Sequence, residues 1–256
     1  MIELPTEADP VKVVEGDCLE VLKSLPDGCV DAVVTDPPYS SGGAFRGDRM
    51  GGTVAKYTTS YGKRDLPEFG GDNRDQRAYG YWCALWLSEC LRLTKPAGVC
   101  CLFTDWRQIG TTIDAIQAGG WVYRGVAVWD KTEAARPMKG RFRNQCEFIV
   151  WGSRGPMGDE GECLPGVFRR AVAGMGKEHT AQKPIEVMRG LLAISQPNAT
   201  ILDPFAGSGT TGVAAALEGR RCLLIEKEPA YAAICRERVR KVLSAGMFEG
   251  IEEGAA

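Results

Sequence analysis

The feature that most constrains this chain is an alternation. Short apolar runs of strand length, several ending on an acid, are followed by stretches with helical spacing. The runs are "VKVVEGD" (11–17), "VDAVVTD" (30–36), "GVCCLFTD" (98–105), "WVYRGVAVWDK" (121–131), "QCEFIVWGS" (145–153), "TILDPF" (200–205) and "RRCLLIEKE" (220–228). The helical stretches are "CLEVLKSLPDG", "YGYWCALWLSECLRLT", "WRQIGTTIDAIQAGG", "KPIEVMRGLLAISQ", "TTGVAAALEG" and "PAYAAICRERVRKVLSAG", with prolines or glycines marking most of their ends. Near-continuous apolar strands need cover on both faces, which helices between parallel strands provide. The expected fold is therefore α/β: a doubly wound, seven-stranded, mostly parallel sheet. Runs 121–131 and 145–153 are joined by a loop rather than a helix, so they can pair antiparallel.

The 256 residues suit a single domain, 1–256. Glycine-bearing segments 40–78, 131–143 and 152–178 read as loops or insertions, and the acidic 247–256 as a frayed tail. No apolar run approaches the roughly 18 residues of a membrane helix, and "MIELPTEADP" has neither a charged n-region nor an h-region. A cytoplasmic protein without a membrane partner is expected. Ten cysteines could suggest an oxidised scaffold, but no CxxC pair exists. Cys18, Cys90, Cys100, Cys101, Cys222 and Cys235 fall in apolar-periodic segments and read as small reduced core residues. With one histidine and no ligand spacing, no metal is expected.

A net charge of −2 argues against a surface that is basic throughout. Positive charge concentrates instead in two loops. One, 131–143, carries Lys131, Arg136, Lys139, Arg141 and Arg143 against Glu133. The other, 40–78, holds Arg46, Arg49, Lys56, Lys63, Arg64, Arg74 and Arg77, diluted by five acids. Either alone could serve solubility; two basic, aromatic-containing loops point to a polyanion. None of the three loop segments contains a convincing amphipathic helix that could read many base pairs from a groove.

Ligands in doubly wound sheets sit at the carboxyl ends of strands, and three such ends carry chemistry. In "ILDPFAGSGTTGVAAA" a strand ends on Asp203, and Gly207 and Gly209 allow close backbone approach at the start of a helix near Thr210. A merely tight strand–helix turn would leave the same trace. Glu226 ends the next strand about twenty residues later, the place for a carboxylate that accepts from two vicinal ribose hydroxyls and so implies an adenosine moiety. The third is "DPPY" (36–39). Asp36 ends a strand, and Pro37 and Pro38 hold the chain extended, so that the Pro37 carbonyl stands as an acceptor beside the carboxylate. Two fixed acceptors can hold an exocyclic amino group, and Tyr39 offers a flat face to a planar ring.

Taken together, "DPPY" (36–39) and "DPFAGSGTT" (203–211) resemble the signatures of the S-adenosylmethionine-dependent DNA amino-methyltransferases, the adenine-N6 and cytosine-N4 family. "HTAQKP" (179–184) is similar to that family's segment before the glycine loop, and "GDCLEVLKSLPDGCVDAVVTDPPY", "LTKPAGVCCLF" and "CEFIVWGS" also fit its pattern. The catalytic motif precedes the cofactor motif, the order of the family's permuted β-group. The resemblance implies a circularly permuted, Rossmann-like class I methyltransferase sheet. In chain order, its strands would take that sheet's third, fourth, fifth, sixth, seventh, first and second places.

By this resemblance Asp36, Pro37, Pro38 and Tyr39 are the catalytic residues. S-adenosyl-L-methionine would be held by Asp17, Cys18, Gln182, Lys183, Asp203, Phe205, Ala206, Gly207, Gly209, Thr210 and Glu226. Within that set, Asp17 would meet the adenine amino group, Glu226 the ribose, Asp203 the methionine amino group and Lys183 the methionine carboxylate region. His179 and Thr180 match the motif less well than Gln182 and Lys183. Double-stranded DNA is the implied partner, with Arg46, Arg49, Lys139, Arg141 and Arg143 as candidate contacts. A homodimer is left open, and restriction–modification is an implied setting. The implied activity is methyl transfer to the N6 amino group of a flipped adenine, in short or relaxed contexts. The alternatives are cytosine-N4 methylation, protein-glutamine methylation, a nicotinamide-dependent dehydrogenase, and a non-catalytic DNA-binding protein. The dehydrogenase gives "DPPY" no task, and a non-catalytic binder does not need the Asp203–Glu226 pocket.

Overall fold

The computed structural model describes residues 2–39, 74–135, 137, 139–159, 162–171 and 183–252. Eight strands form one sheet: β1 (Val11–Glu15), β2 (Val30–Thr35), β3 (Thr94–Thr104), β4 (Val122–Asp130), β5 (Cys146–Ser153), β6 (Val167–Arg169), β7 (Thr200–Asp203) and β8 (Arg221–Glu226). Among the described residues six helices flank it: α1 (Cys18–Lys23), α2 (Gln76–Leu93), α3 (Ile109–Ala118), α4 (Ile185–Leu192), α5 (Thr210–Leu217) and α6 (Pro229–Glu252). The strand order is β1-β8-β7-β2-β3-β5-β4-β6. Apart from the eighth strand, this is the order that results when the seven runs take the places implied by the family resemblance. β5 runs antiparallel to β3 and β4, and the other pairings are parallel.

Side-chain alternation divides the core in two. Ala32, Val34, Cys101, Phe103, Ile201 and Leu224 face α4, α5 and α6. Val33, Cys100, Leu102, Leu202, Leu223 and Ile225 face α1, α2 and α3. Period-two strands that are apolar on both sides explain why the runs read as continuous hydrophobic stretches. All ten cysteines are free, and burial pushes the thiols of Cys18, Cys83, Cys101 and Cys235 up to about 12, which keeps them protonated and inert.

The structure corrects the sequence reading at three places. The sheet has eight strands, not seven, because Val167–Arg169, inside the segment read as irregular, pairs in parallel with Val128–Asp130. β3 starts at Thr94, with a register shift against β2 before Val99, where Pro96 has no N–H to give the ladder. α6 continues to Glu252, six residues into the segment read as a frayed tail.

The chain moves outward in opposite directions from the centre of the sheet, β7 through α5 to β8 on one side and β2 through α2 to β3 on the other. The switch point therefore lies between β7 and β2, with Asp203 and Asp36 at its mouth.

Candidate active site

β2 delivers Asp36 to this mouth, and the two prolines behind it end the ladder. The two carboxylate oxygens have different surroundings. Oδ2 accepts from Lys183 Nζ at 2.6 Å, whereas Oδ1 is buried and has no hydrogen-bond partner among the described residues. Burial pushes the Asp36 carboxyl up to about 6; Lys183 opposes the rise, and Glu147 adds to it. Lys183 stands immediately before Pro184, the N-cap of α4, and its side chain is only 6% exposed. Its ammonium also reaches Glu147 Oε2 at 3.2 Å and the Tyr39 hydroxyl at 3.4 Å, with the Phe103 ring 5.1 Å away. Burial works against that charge, but Asp36 and Glu147 together hold the Lys183 pKa above its usual value.

Glu147 is the residue that the sequence reading missed. It lies on β5, two residues into the strand, and its other oxygen pairs with Lys131 at 3.3 Å. Burial raises its pKa, yet Lys183 and Lys131 overcome that and leave it lowered. The result is a neutral four-charge cluster of Asp36, Glu147, Lys183 and Lys131. An acid inside the apolar strand "CEFIVWGS" was the available signal, because a lone carboxylate there must find a cation.

The glycine turn connects β7 to α5. Asp203 is turned into it: Oδ1 accepts from the Thr35 hydroxyl at 2.6 Å and the Phe205 amide at 3.0 Å, and Oδ2 accepts from the Thr211 hydroxyl at 2.5 Å. Burial raises its pKa against these bonds. Asp203 thus ties β2, β7 and α5 together at the switch point. Gly209 caps α5 at φ 83°, and a Cβ there would stand 2.5 Å from Cys235 Sγ. Gly207, at φ 52°, has nothing within 4 Å of where a Cβ would be, so open space faces its backbone. Glu226 receives the Gly207 amide on Oε2 at 2.7 Å and the Glu228 amide on Oε1 at 2.8 Å. Burial raises its pKa and the two amides restrain the rise. Phe205 packs between Trp82 and Trp86 of α2, at 5.2 and 5.1 Å. Ala206 donates to the Ile225 carbonyl, and Arg238 of α6 holds both oxygens of Ser208 beside Thr210.

Asp17 ends the row. Its Oδ1 caps α1 through the Leu19 amide at 3.0 Å, and its Oδ2 pairs with Lys227 at 3.1 Å, while Cys18 behind it is buried. Asp17, Glu226, the glycine turn and Asp36 follow β1, β8, β7 and β2, four strands adjacent in the sheet. They therefore line one edge over three strand spacings, about 14 Å. Lys183, for which the resemblance implies the methionine carboxylate region, has its ammonium on Asp36 and Glu147. Gln182, His179, Thr180, Arg46 and Arg49 lie outside the described residues. Lys139 and Arg141 are exposed on the β4–β5 loop, and Arg143 donates to the Glu133 carbonyl. β4 is parallel to β3, so this loop leaves the sheet from the same edge as Asp36. Phe142 on it is 98% exposed.

Residues 30–160 and 159–237 match the model of the N6/N4 methyltransferase family, described as DNA methylase. The Escherichia coli protein YubD is 30% identical over 246 residues, which cover 96% of this chain and 95% of that one. The type II methyltransferase M.HinfI of Haemophilus influenzae is 29% identical over 269 residues, covering 90% of this chain and 68% of that one. Among solved structures, the M1.HpyAVI–SAM complex superposes with a TM-score of 0.65 at 22% identity, covering 90% of this chain and 98% of that one. The cytosine-N4-specific PvuII DNA methyltransferase superposes at 0.66 and 17% identity, covering 92% and 90%. The sheet order, the glycine turn and the Asp-Pro-Pro-Tyr mouth thus occur in a chain that belongs to the N6/N4 family of DNA methylases.

Proposed function

We propose that this protein transfers a methyl group from S-adenosyl-L-methionine to the exocyclic N6 amino group of adenine in double-stranded DNA. The observation that carries the reading is the Asp36 carboxylate at the switch point, with a buried oxygen, Oδ1, that has no partner among the described residues. A buried acceptor is costly to leave unpaired, and an amino hydrogen supplied by a substrate would satisfy it.

The row from Asp17 to Asp36 fits the cofactor. Glu226 keeps a free lone pair on each oxygen beyond its amide bonds and can accept from ribose hydroxyls. The open space before Gly207 admits a ligand against the backbone. The cofactor supplies an electrophilic methyl group on a sulfonium. The rest falls to the chain's own residues. A base inside a duplex cannot reach this mouth, so it must be flipped out and stacked on Tyr39. Asp36 and the Pro37 carbonyl accept the two amino hydrogens, which directs the nitrogen lone pair away from the ring and toward the methyl group. Positive charge that develops on the nitrogen is stabilised by the Asp36 carboxylate, and the released proton leaves through it to water. Lys139 and Arg141 extend from the same edge toward phosphates. One domain, 1–256, suffices for this.

Cytosine-N4 methylation would use the same acceptors, and the fold likeness to the cytosine-N4-specific PvuII enzyme favours keeping it as the second reading. By the family resemblance, in which N4 enzymes more often carry serine at this place, Asp36 supports adenine. Plasmid DNA incubated with methyl-labelled cofactor, then digested to nucleosides, should carry its label in N6-methyldeoxyadenosine. Label in N4-methyldeoxycytidine would overturn the choice of base, and unlabelled DNA would overturn the activity.

A further inference from the structure

If Asp36 receives the target amino group, the position of Lys183 creates a conflict. The ammonium sits on Oδ2 at 2.6 Å, where it weakens the carboxylate as an acceptor and adds positive charge beside a nitrogen that becomes positive itself. A second acceptor for that ammonium is already in place. Glu147 Oε2 stands 3.2 Å from Lys183 Nζ, fixed from behind by Lys131 at 3.3 Å and approached by the Tyr39 hydroxyl at 3.5 Å. One carboxylate would be enough to neutralise one buried lysine. A second buried carboxylate, itself needing Lys131, is a costly addition for charge balance alone.

We propose that Glu147 is a positioning residue that shares the Lys183 ammonium with Asp36 and draws it off when the target base binds, thereby setting how strong an acceptor Asp36 is. The inference rests on the reading of Asp36 as the amino acceptor. Around Asp36 the charged and titratable groups are Lys183 ahead of α4, Glu147 on β5, Asp203 on β7, Tyr39 after β2 and Tyr79 on α2. Lys131 acts on it through Glu147. Burial drives the Tyr79 phenol far up, and it also raises the Asp203 carboxyl against the hydrogen bonds on both of its oxygens. Lys183 and Glu147 are the movable charges.

The two single variants must therefore act in opposite directions. In Glu147→Gln the ammonium falls wholly to Asp36. The acidic limb of kcat/KM for DNA should move down by about half a pH unit or more, and plateau turnover should fall about tenfold with cofactor affinity unchanged. In Lys183→Met the limb should move up. The same shifts should appear without turnover in the carboxyl 13C resonance of Asp36, assigned by its loss in Asp36→Asn, in full-length protein labelled at aspartate. If wild-type protein methylates DNA and Glu147→Gln leaves both the limb and the resonance titration in place, the sharing is wrong and the activity stands. If wild-type protein does not methylate DNA, the functional reading fails, and the resonance titration still decides whether Glu147 and Asp36 share the lysine.

Discussion

At the scale of single residues, Asp36 Oδ1 is a buried acceptor without a partner among the described residues, beside an Oδ2 that accepts from Lys183. Asp36→Ala should lose about two orders of magnitude or more in turnover while calorimetry shows cofactor affinity nearly intact. Retained turnover would remove Asp36 from the mechanism. The wild-type pH profile should carry the same signature. Burial raises the Asp36 pKa to about 6, and the acceptor is the charged form, so kcat/KM should fall as pH drops through about 6 and level off above it. Asp36 and Lys183 each stand out in the sequence as candidate site residues, from motifs. That they meet does not, since they lie 147 positions apart and only the β2–β7 switch point brings the lysine's segment over the aspartate. Glu147 lies in "CEFIVWGS", which fits the family pattern, but nothing there singles it out, because its contacts with Lys131 and Lys183 are tertiary.

At the scale of elements, the glycine turn separates two demands that a pattern search merges. Gly209 is required by packing, because its positive φ and the Cys235 sulfur leave no room for a Cβ. Gly207 is left open toward whatever the turn binds. Gly209→Ala should therefore lower stability by about 1–3 kcal/mol, read as a lower denaturant midpoint. Gly207→Ala should unfold close to the wild type, apart from a smaller cost for its φ of 52°, and should lose affinity for S-adenosylmethionine in calorimetry. Equal effects of the two substitutions on both measurements would mean that the turn is purely structural. The long elements were legible because period-two and helical spacings are visible over six or more residues. β6 was not, since a three-residue strand has too few alternations to show a period, and its pairing with β4 is a tertiary event. Its Arg169 reaches Glu133 at 2.8 Å and so braces the base of the β4–β5 loop.

At the scale of the whole molecule, a net charge of −2 leaves room for local positive charge. Lys139 and Arg141 are exposed, make no ion pair among the described residues, and project from the edge that carries Asp36. Replacing both with alanine should weaken DNA binding on most sequences alike and lower the slope of log affinity against log salt by about one for each phosphate no longer neutralised. A change in the methylated sequence instead would make them base readers. The strand order was legible at this scale only through the motif order, because nothing in a strand's own composition says which neighbour it takes. That order has a further consequence during synthesis. β1, at the sheet's edge, pairs only with β8, among the described residues, and the two are separated by Glu15 to Arg221. A ribosome adding about 5–20 residues per second makes the first strand of the sheet many seconds before its sole partner emerges. The central strand β2 likewise waits on one side for β7. The nascent chain must therefore keep half-finished apolar edges from other chains until its last quarter is translated, and the pocket row from Asp17 to Asp36 closes only then.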